Sequence, residues 1–161
     1  MAVSFSPVAV VTGGARGIGL AIGQWFLAHE HKVVLLDIDQ ATLAVSEAAL
    51  NRPHDLLCLR CDVASPQQVQ AAAAQVMARF GRLDALVNNA GVAVFKPALE
   101  THFEEWRQVL STNLDGAFLC PQAVLVGTWP ASAAAPSSTL PPSRDCVRAP
   151  CGWPMAPARP R

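Results

Sequence analysis

The stretch "VAVVTGGARGIGLAIG", residues 8–23, constrains the fold more than any other part of the chain. The run Val8 to Thr12 is apolar without polar alternation, as a parallel strand covered on both faces must be. Gly13, Gly17 and Gly19 follow at once, and then Ile18, Ala21, Ile22, Trp25 and Phe26 recur at helical spacing. A strand that turns sharply into a helix leaves the first helical N–H groups free, beside the positive end of the helix dipole. Phosphate suits such a place. Glycine there lets a pyrophosphate approach backbone that a Cβ would shield, so Gly13, Arg16, Gly17, Ile18 and Gly19 are candidate phosphate-side residues. Tight turns alone also use glycine, so the turn must be weighed with its surroundings.

Strand and helix signals continue to alternate. "KVVLLDID" (32–39) is a second buried strand, "QATLAVSEAALNR" (40–52) a helix stopped by Pro53, and "DLLCLRCDV" (55–63) a third strand. "SPQQVQAAAAQVMARFG" (65–81) is a helix with Ser65 at its N-cap, Pro66 at its first position and Gly81 past its end. "RLDALVNNAG" (82–91) reads as a fourth strand running into a turn. "THFEEWRQVLSTNLDGAFLC" (101–120) reads as a long helix begun by a Thr101–Glu104 capping box. With right-handed crossovers, this order is the N-terminal half of a Rossmann-type, doubly wound parallel α/β sheet over residues 1–126. Ligands bind beyond the carboxyl ends of the strands in such a sheet.

Asp37 ends the second strand, 18 residues after Gly19, close to the ~20-residue spacing of an acid that receives the adenosine ribose hydroxyls. A carboxylate there repels a 2′-phosphate, whereas Arg16 attracts one. The carboxylate dominates, which favours NAD over NADP. Among the 161 residues only 15% are charged and the formal net charge is zero, so nothing global points to nucleic acid or to an anionic membrane. The N-terminus has neither a basic region nor a long apolar run, and a cytoplasmic location is expected. Cys58 and Cys61 make a C-x-x-C, but residues three apart on a strand face opposite sides, so reduced buried thiols are expected rather than a metal site.

Taken together, these residues resemble the short-chain dehydrogenase/reductase family. The pattern T-G-x-x-x-G-x-G runs from Thr12 to Gly19, "CDV" occupies 61–63, "NNAG" 88–91 and "STNLDGAF" 111–118, in the family's order. The resemblance implies that Asp62 and Val63 contact the adenine and that Asn89, Ala90 and Gly91 lie against the adenosine half. It makes Asn113 the asparagine of a catalytic tetrad, and implies hydride transfer between a nicotinamide and an alcohol or carbonyl substrate. The family's proton transfer needs a serine and a Tyr-x-x-x-Lys farther along. This chain has no tyrosine, and its lysines are Lys32 and Lys96. His102 and the serines 137, 138 and 143 are poor substitutes for that phenol.

Residues 128–161 hold eight of the thirteen prolines and neither alternation nor an apolar face, so residues 127–161 are expected to be disordered. A partner-binding tail and a shifted reading frame both account for this composition; the abrupt change inside a family motif favours the second. Three expectations follow for the ordered part. The fourth strand is left as a sheet edge. Phe103, Trp106, Leu110, Leu114 and Phe118 form an exposed apolar stripe, and Pro121 costs the last helix a hydrogen bond. The expected function is that of a catalytically incomplete dinucleotide-binding unit. The alternative is a non-catalytic module that pairs with an intact homologue through the last helix.

Overall fold

A computed structural model describes residues 6–128 of the chain. The expected disorder of 127–161 lies outside these residues, except that Gly127 and Thr128 close the last helix. The elements are β1 (Val8–Thr12), α1 (Gly17–Ala28), β2 (Lys32–Asp37), α2 (Gln40–Leu50), β3 (Leu56–Arg60), α3 (Pro66–Phe80) and β4 (Ala85–Val87). A 3-10 turn at Ala98–Glu100 then leads to α4 (Phe103–Leu110), a π-helical turn at Ser111–Asp115, and α5 (Gly116–Thr128).

All pairings are parallel, in the order β3-β2-β1-β4. Consecutive parallel strands require crossovers, and α1, α2 and α3 supply them. The strand period of two divides the core into two layers. Val11, Val33 and Leu35 face one side with Leu43, and Leu20, Ile22 and Phe26 of α1 pack there. Val8, Val10, Val34 and Leu36 face the other, against Val69, Ala72 and Val76 of α3 and Cys120 of α5. Cys58 belongs to the first layer and Cys61 to the second, as the alternation predicts. Burial pushes their thiols up, to about 12 and about 11 respectively. A thiolate nucleophile is disfavoured at both positions.

The apolar stripe expected on α1 is turned by about one residue. Ile18 and Trp25 are exposed, and the buried positions are Gly19 and Gly23. Here closeness of approach outweighs side-chain size: the helix lies so near the sheet that glycine faces Leu35, while Trp25 rests outside on His29, ring centroids 4.0 Å apart. α3 begins and ends as its sequence requires, with the Ser65 hydroxyl accepting from Gln68 N at 3.4 Å and Gly81 left-handed at φ 72°.

The last helix departs from expectation at its start and in its middle. Thr101 does not cap it; its hydroxyl donates to Pro97 O at 3.1 Å and closes the 3-10 turn instead. The cap is His102, whose N–H donates to Glu105 Oε2 at 3.1 Å, one residue beyond the predicted Thr101–Glu104 pair. In the middle, five residues widen into a π turn. β4 is a sheet edge among the described residues, as expected. Phe103, Trp106, Leu114 and Phe118 are all more than half exposed.

Pro121 does lie inside α5, and the helix continues through it. Proline has no N–H for the carbonyl four residues earlier, which is that of Ala117. Asn88 Nδ2 donates to Ala117 O at 3.4 Å and occupies the orphaned acceptor. The cost expected from Pro121 is therefore partly offset by the first asparagine of "NNAG".

Candidate functional site

Beyond the carboxyl ends of β1, β2 and β3 lies a cleft of about 460 Å³, lined by Gly13, Arg16, Asp37, Asp62, Val63, Asn89, Ala90 and Gly91 among others. Eight of the predicted cofactor residues thus meet in one place, although they come from four separate stretches of chain. Gly17 and Ile18 stand in the first turn of α1, with Ile18 exposed, and Gly19 is buried behind them.

The turn after β1 is held by a small set of polar contacts. Thr12 is 1% exposed, and its hydroxyl accepts from Asn89 N and Ala90 N, both at 3.0 Å, and donates to Val87 O at 3.3 Å. Its one proton and two lone pairs are thereby all used. Asn89 returns the tie: Nδ2 donates to Thr12 O at 3.0 Å and to Gly13 O at 3.1 Å. The amide nitrogen of Asn89 therefore shapes the turn. On the other flank Ser46 of α2 donates to Ala15 O at 2.7 Å, and Ala15 N donates to Asp37 Oδ2 at 3.0 Å.

Two glycines show what the turn is built for. A Cβ on Gly19 would lie 2.1 Å from Gly13 O, so this helix can cross the turn only without a side chain. Gly17 is left-handed at φ 56°, and a Cβ there would meet nothing within 4 Å. Gly19 serves packing, and Gly17 keeps open the space in front of the helix. Arg16, the N-cap of α1, makes no side-chain capping bond, so the first N–H groups of α1 remain available to an anion.

Each Asp37 oxygen receives one backbone N–H, Oδ2 from Ala15 and Oδ1 from Asp39 at 3.1 Å. A carboxylate oxygen has capacity for a further donor, so Asp37 can still receive a pair of hydroxyls. Asp62 is oriented in a similar way, its Oδ1 accepting from Ala64 N at 2.9 Å. Ile38, 57% exposed, lines the same cleft, as do Gln108, Ser111 and Thr112. Ser111 and Thr112 belong to the "STNLDGAF" motif but carry no cofactor role in the sequence, and Ile38 and Gln108 have none either. Ile38 carries a signal of its own, an apolar residue between two acids where a strand ends.

Asn113 is not in this cleft. It lines a neighbouring concavity of about 770 Å³ with Val92, Lys96, His102, Glu105 and Trp106. Both ends of its amide are engaged by one residue: Oδ1 accepts from Val92 N at 2.8 Å and Nδ2 donates to Val92 O at 2.9 Å. The π turn carries this clamp, which ties the last helix to the loop after "NNAG". Lys96 is paired with Glu105, whose carboxyl is held below its ordinary value by that ammonium and by His102 N–H. The serines 137, 138 and 143 lie outside the described residues. Among the described residues no three His, Cys, Asp or Glu gather as a metal ion would need, and no helix is long and apolar enough to cross a membrane.

The sequence profile of the short chain dehydrogenases matches residues 7–128. The chain is 42% identical over 118 residues to D-threitol dehydrogenase of Mycolicibacterium smegmatis, covering 73% of this chain and 45% of that protein. It is 41% identical over 127 residues to 2-(R)-hydroxypropyl-CoM dehydrogenase of Xanthobacter autotrophicus, covering 74% and 50% respectively. Among solved structures, the short-chain dehydrogenase/reductase of glucose/ribitol dehydrogenase type from Brucella melitensis superposes with a TM-score of 0.73 at 34% identity, over 79% of this chain and 54% of that one. The chain thus spans about half the length of the relatives it matches.

Proposed function

The chain belongs to the short chain dehydrogenase family, and from that premise we propose that it is the dinucleotide-binding unit of an NAD-dependent oxidoreductase. The observation that carries this reading is the cleft itself: an uncapped helix N-terminus, open space in front of Gly17, and Asp37 at the end of β2. The residues fit the cofactor in kind. The first N–H groups of α1 receive the pyrophosphate, Asp37 receives the ribose hydroxyls, and Asp62 with Val63 and Ile38 borders the adenine. The bound nicotinamide supplies the hydride chemistry, acting on an alcohol or carbonyl.

This chain's residues bind and orient; they do not complete a proton relay. The chain has no tyrosine. Asn113 acts as a positioning residue, because its amide is committed to Val92. NAD is preferred over NADP because Asp37 presents negative charge where a 2′-phosphate would stand.

The test is the thermal melt of the full chain alone, with millimolar NAD and with millimolar NADP. A ligand bound only by the folded state at ~100 times its dissociation constant adds ~2.7 kcal/mol. The expected result is a clear rise with NAD and a smaller one with NADP. A cooperative melt that neither nucleotide moves would overturn the reading.

A second reading rests on the exposed Phe103, Trp106, Leu114 and Phe118: the unit pairs with an intact relative through α4 and α5. Co-purification with a full-length homologue, lost on Trp106→Glu, supports it. Failure to co-purify removes it.

A further inference from the structure

Arg16 is the cation lining the cleft among the described residues, and it faces an acid that the glycine pattern does not foretell. Its Nη2 lies 3.7 Å from Asp39 Oδ2. Asp39 is fixed where it stands. Its Oδ1 accepts from Thr42 N at 3.1 Å and its Oδ2 from Thr42 Oγ1 at 2.6 Å, while its own N–H donates to Asp37 Oδ1. It caps α2 and cannot swing away without uncovering that helix end. The Thr42 bonds, with Arg16 beside them, hold its carboxyl below the ordinary 3.8, so it stays charged at neutral pH. Arg16, by contrast, is 72% exposed in its side chain and could turn several ways.

So open an ion pair contributes little to folding. Its consequence falls on the ligand. A 2′-phosphate beside Asp37 needs a cation to offset two negative charges; Arg16 lines the cleft, whereas Arg60, the register partner of Asp37, donates through Nε to Ile38 O at 3.4 Å. With Asp39 alongside, Arg16 is already partnered, and a second carboxylate stands at the β2 exit.

We propose that Asp39 is a specificity-determining positioning residue: by holding Arg16 at the mouth of α2, it withholds the cation that a 2′-phosphate requires and so enforces the preference for NAD. The inference rests on the dinucleotide-binding reading above. It adds to Asp37, which contacts the ribose, a residue that acts through Arg16.

The experiment compares dissociation constants of NAD and NADP for the full chain by calorimetry. Asp39→Asn removes the charge and keeps the capping acceptor; Asp39→Ser, also a good cap, is the second variant should the first fail to fold. The ratio of the NADP to the NAD constant is expected to fall by about two- to fivefold, the weight of one exposed, screened charge pair at this range. In an Arg16→Ala background the same substitution is expected to change the ratio by less than about twofold, since the cation it frees is gone. A purely structural role would weaken both nucleotides alike and leave the ratio unmoved, which overturns the proposal. An equal fall with and without Arg16 also overturns it, since the acid then acts by direct repulsion. If the parent chain and every variant fold but bind neither nucleotide, the dinucleotide reading itself is wrong and this inference goes with it.

Discussion

Replacing Gly19 by alanine adds one methyl group at the tightest crossing in the molecule. The new Cβ would stand 2.1 Å from Gly13 O and 2.6 Å from Asn89 Nδ2. A carbon rests no closer than about 3.3 Å to a carbonyl oxygen, so more than an ångström of movement is required. The obstacle is backbone, which cannot rotate aside. Either α1 lifts from the turn, or Gly13 moves and Asn89 loses its bonds to Thr12 O and Gly13 O. Overpacking costs ~1–3 kcal/mol, and two hydrogen bonds ~0.5–1.5 kcal/mol each. Alanine returns ~1 kcal/mol through its better helix propensity. The net loss is ~1–5 kcal/mol, or roughly 4–20 °C in a domain of this size.

Gly17→Ala makes the contrast. Its Cβ meets nothing within 4 Å, but its φ of 56° is left-handed, so about 1 kcal/mol of strain is expected. The melt should fall only a few degrees, while the stabilisation by NAD should disappear if the space in front of Gly17 holds the pyrophosphate as proposed. Circular dichroism melts of both variants, with and without NAD, read the two effects separately. A Gly19→Ala chain melting within about 2 °C of the parent, or no lower than Gly17→Ala, would refute the close-packing account.

Thr12→Val keeps the shape of the buried side chain but leaves Asn89 N and Ala90 N without their acceptor, and urea unfolding should show a loss of ~2–5 kcal/mol. Asp84 accepts from Arg82 and from Val8 N at 2.7 Å, and these bonds hold its carboxyl below the ordinary 3.8. A depressed carboxyl adds stability that is present above its unfolded value and is lost as pH falls through the folded one. Melting temperature should therefore drop below about pH 4, and Asp84→Asn should flatten that limb while lowering the plateau at neutral pH. Burial raises the thiols of Cys61 and Cys120, which are 2% and 3% exposed, so mass-mapped alkylation at pH 8 should reach these two only as fast as the chain unfolds, and the half-buried Cys58 sooner. Rapid native labelling of Cys61 or Cys120 would show that their shared layer of the core is open.

What could be read along the chain was whatever local backbone demands impose. The order strand–glycine turn–helix is written in adjacent residues, because a sharp turn and a free helix end restrict the residue types there. The same holds for Ser65, Pro66 and Gly81 at the ends of α3, and for the alternation that sends Cys58 and Cys61 to opposite layers. The last helix starts one residue beyond the expected Thr101 cap because the 3-10 turn at Ala98–Glu100 turns the Thr101 hydroxyl to donate to Pro97 O, away from the helix N–H groups, and local sequence does not show that turn.

Tertiary structure alone decided which distant groups complete one another. Thr12 becomes the hub of the turn only because β4 lies beside β1 and delivers Val87, Asn89 and Ala90 to its hydroxyl. Asn88 answers the carbonyl that Pro121 leaves bare, a compensation visible only once the "NNAG" loop and α5 are in contact. Arg16 and Asp39 meet because parallel pairing of β1 with β2 places their two following turns side by side. The physical reason is the range of the forces. Torsional preference and helix-end chemistry act within a few residues and so leave a trace in the sequence. Hydrogen-bond saturation, close packing and charge pairing act across a few ångströms of space, whatever the separation along the chain.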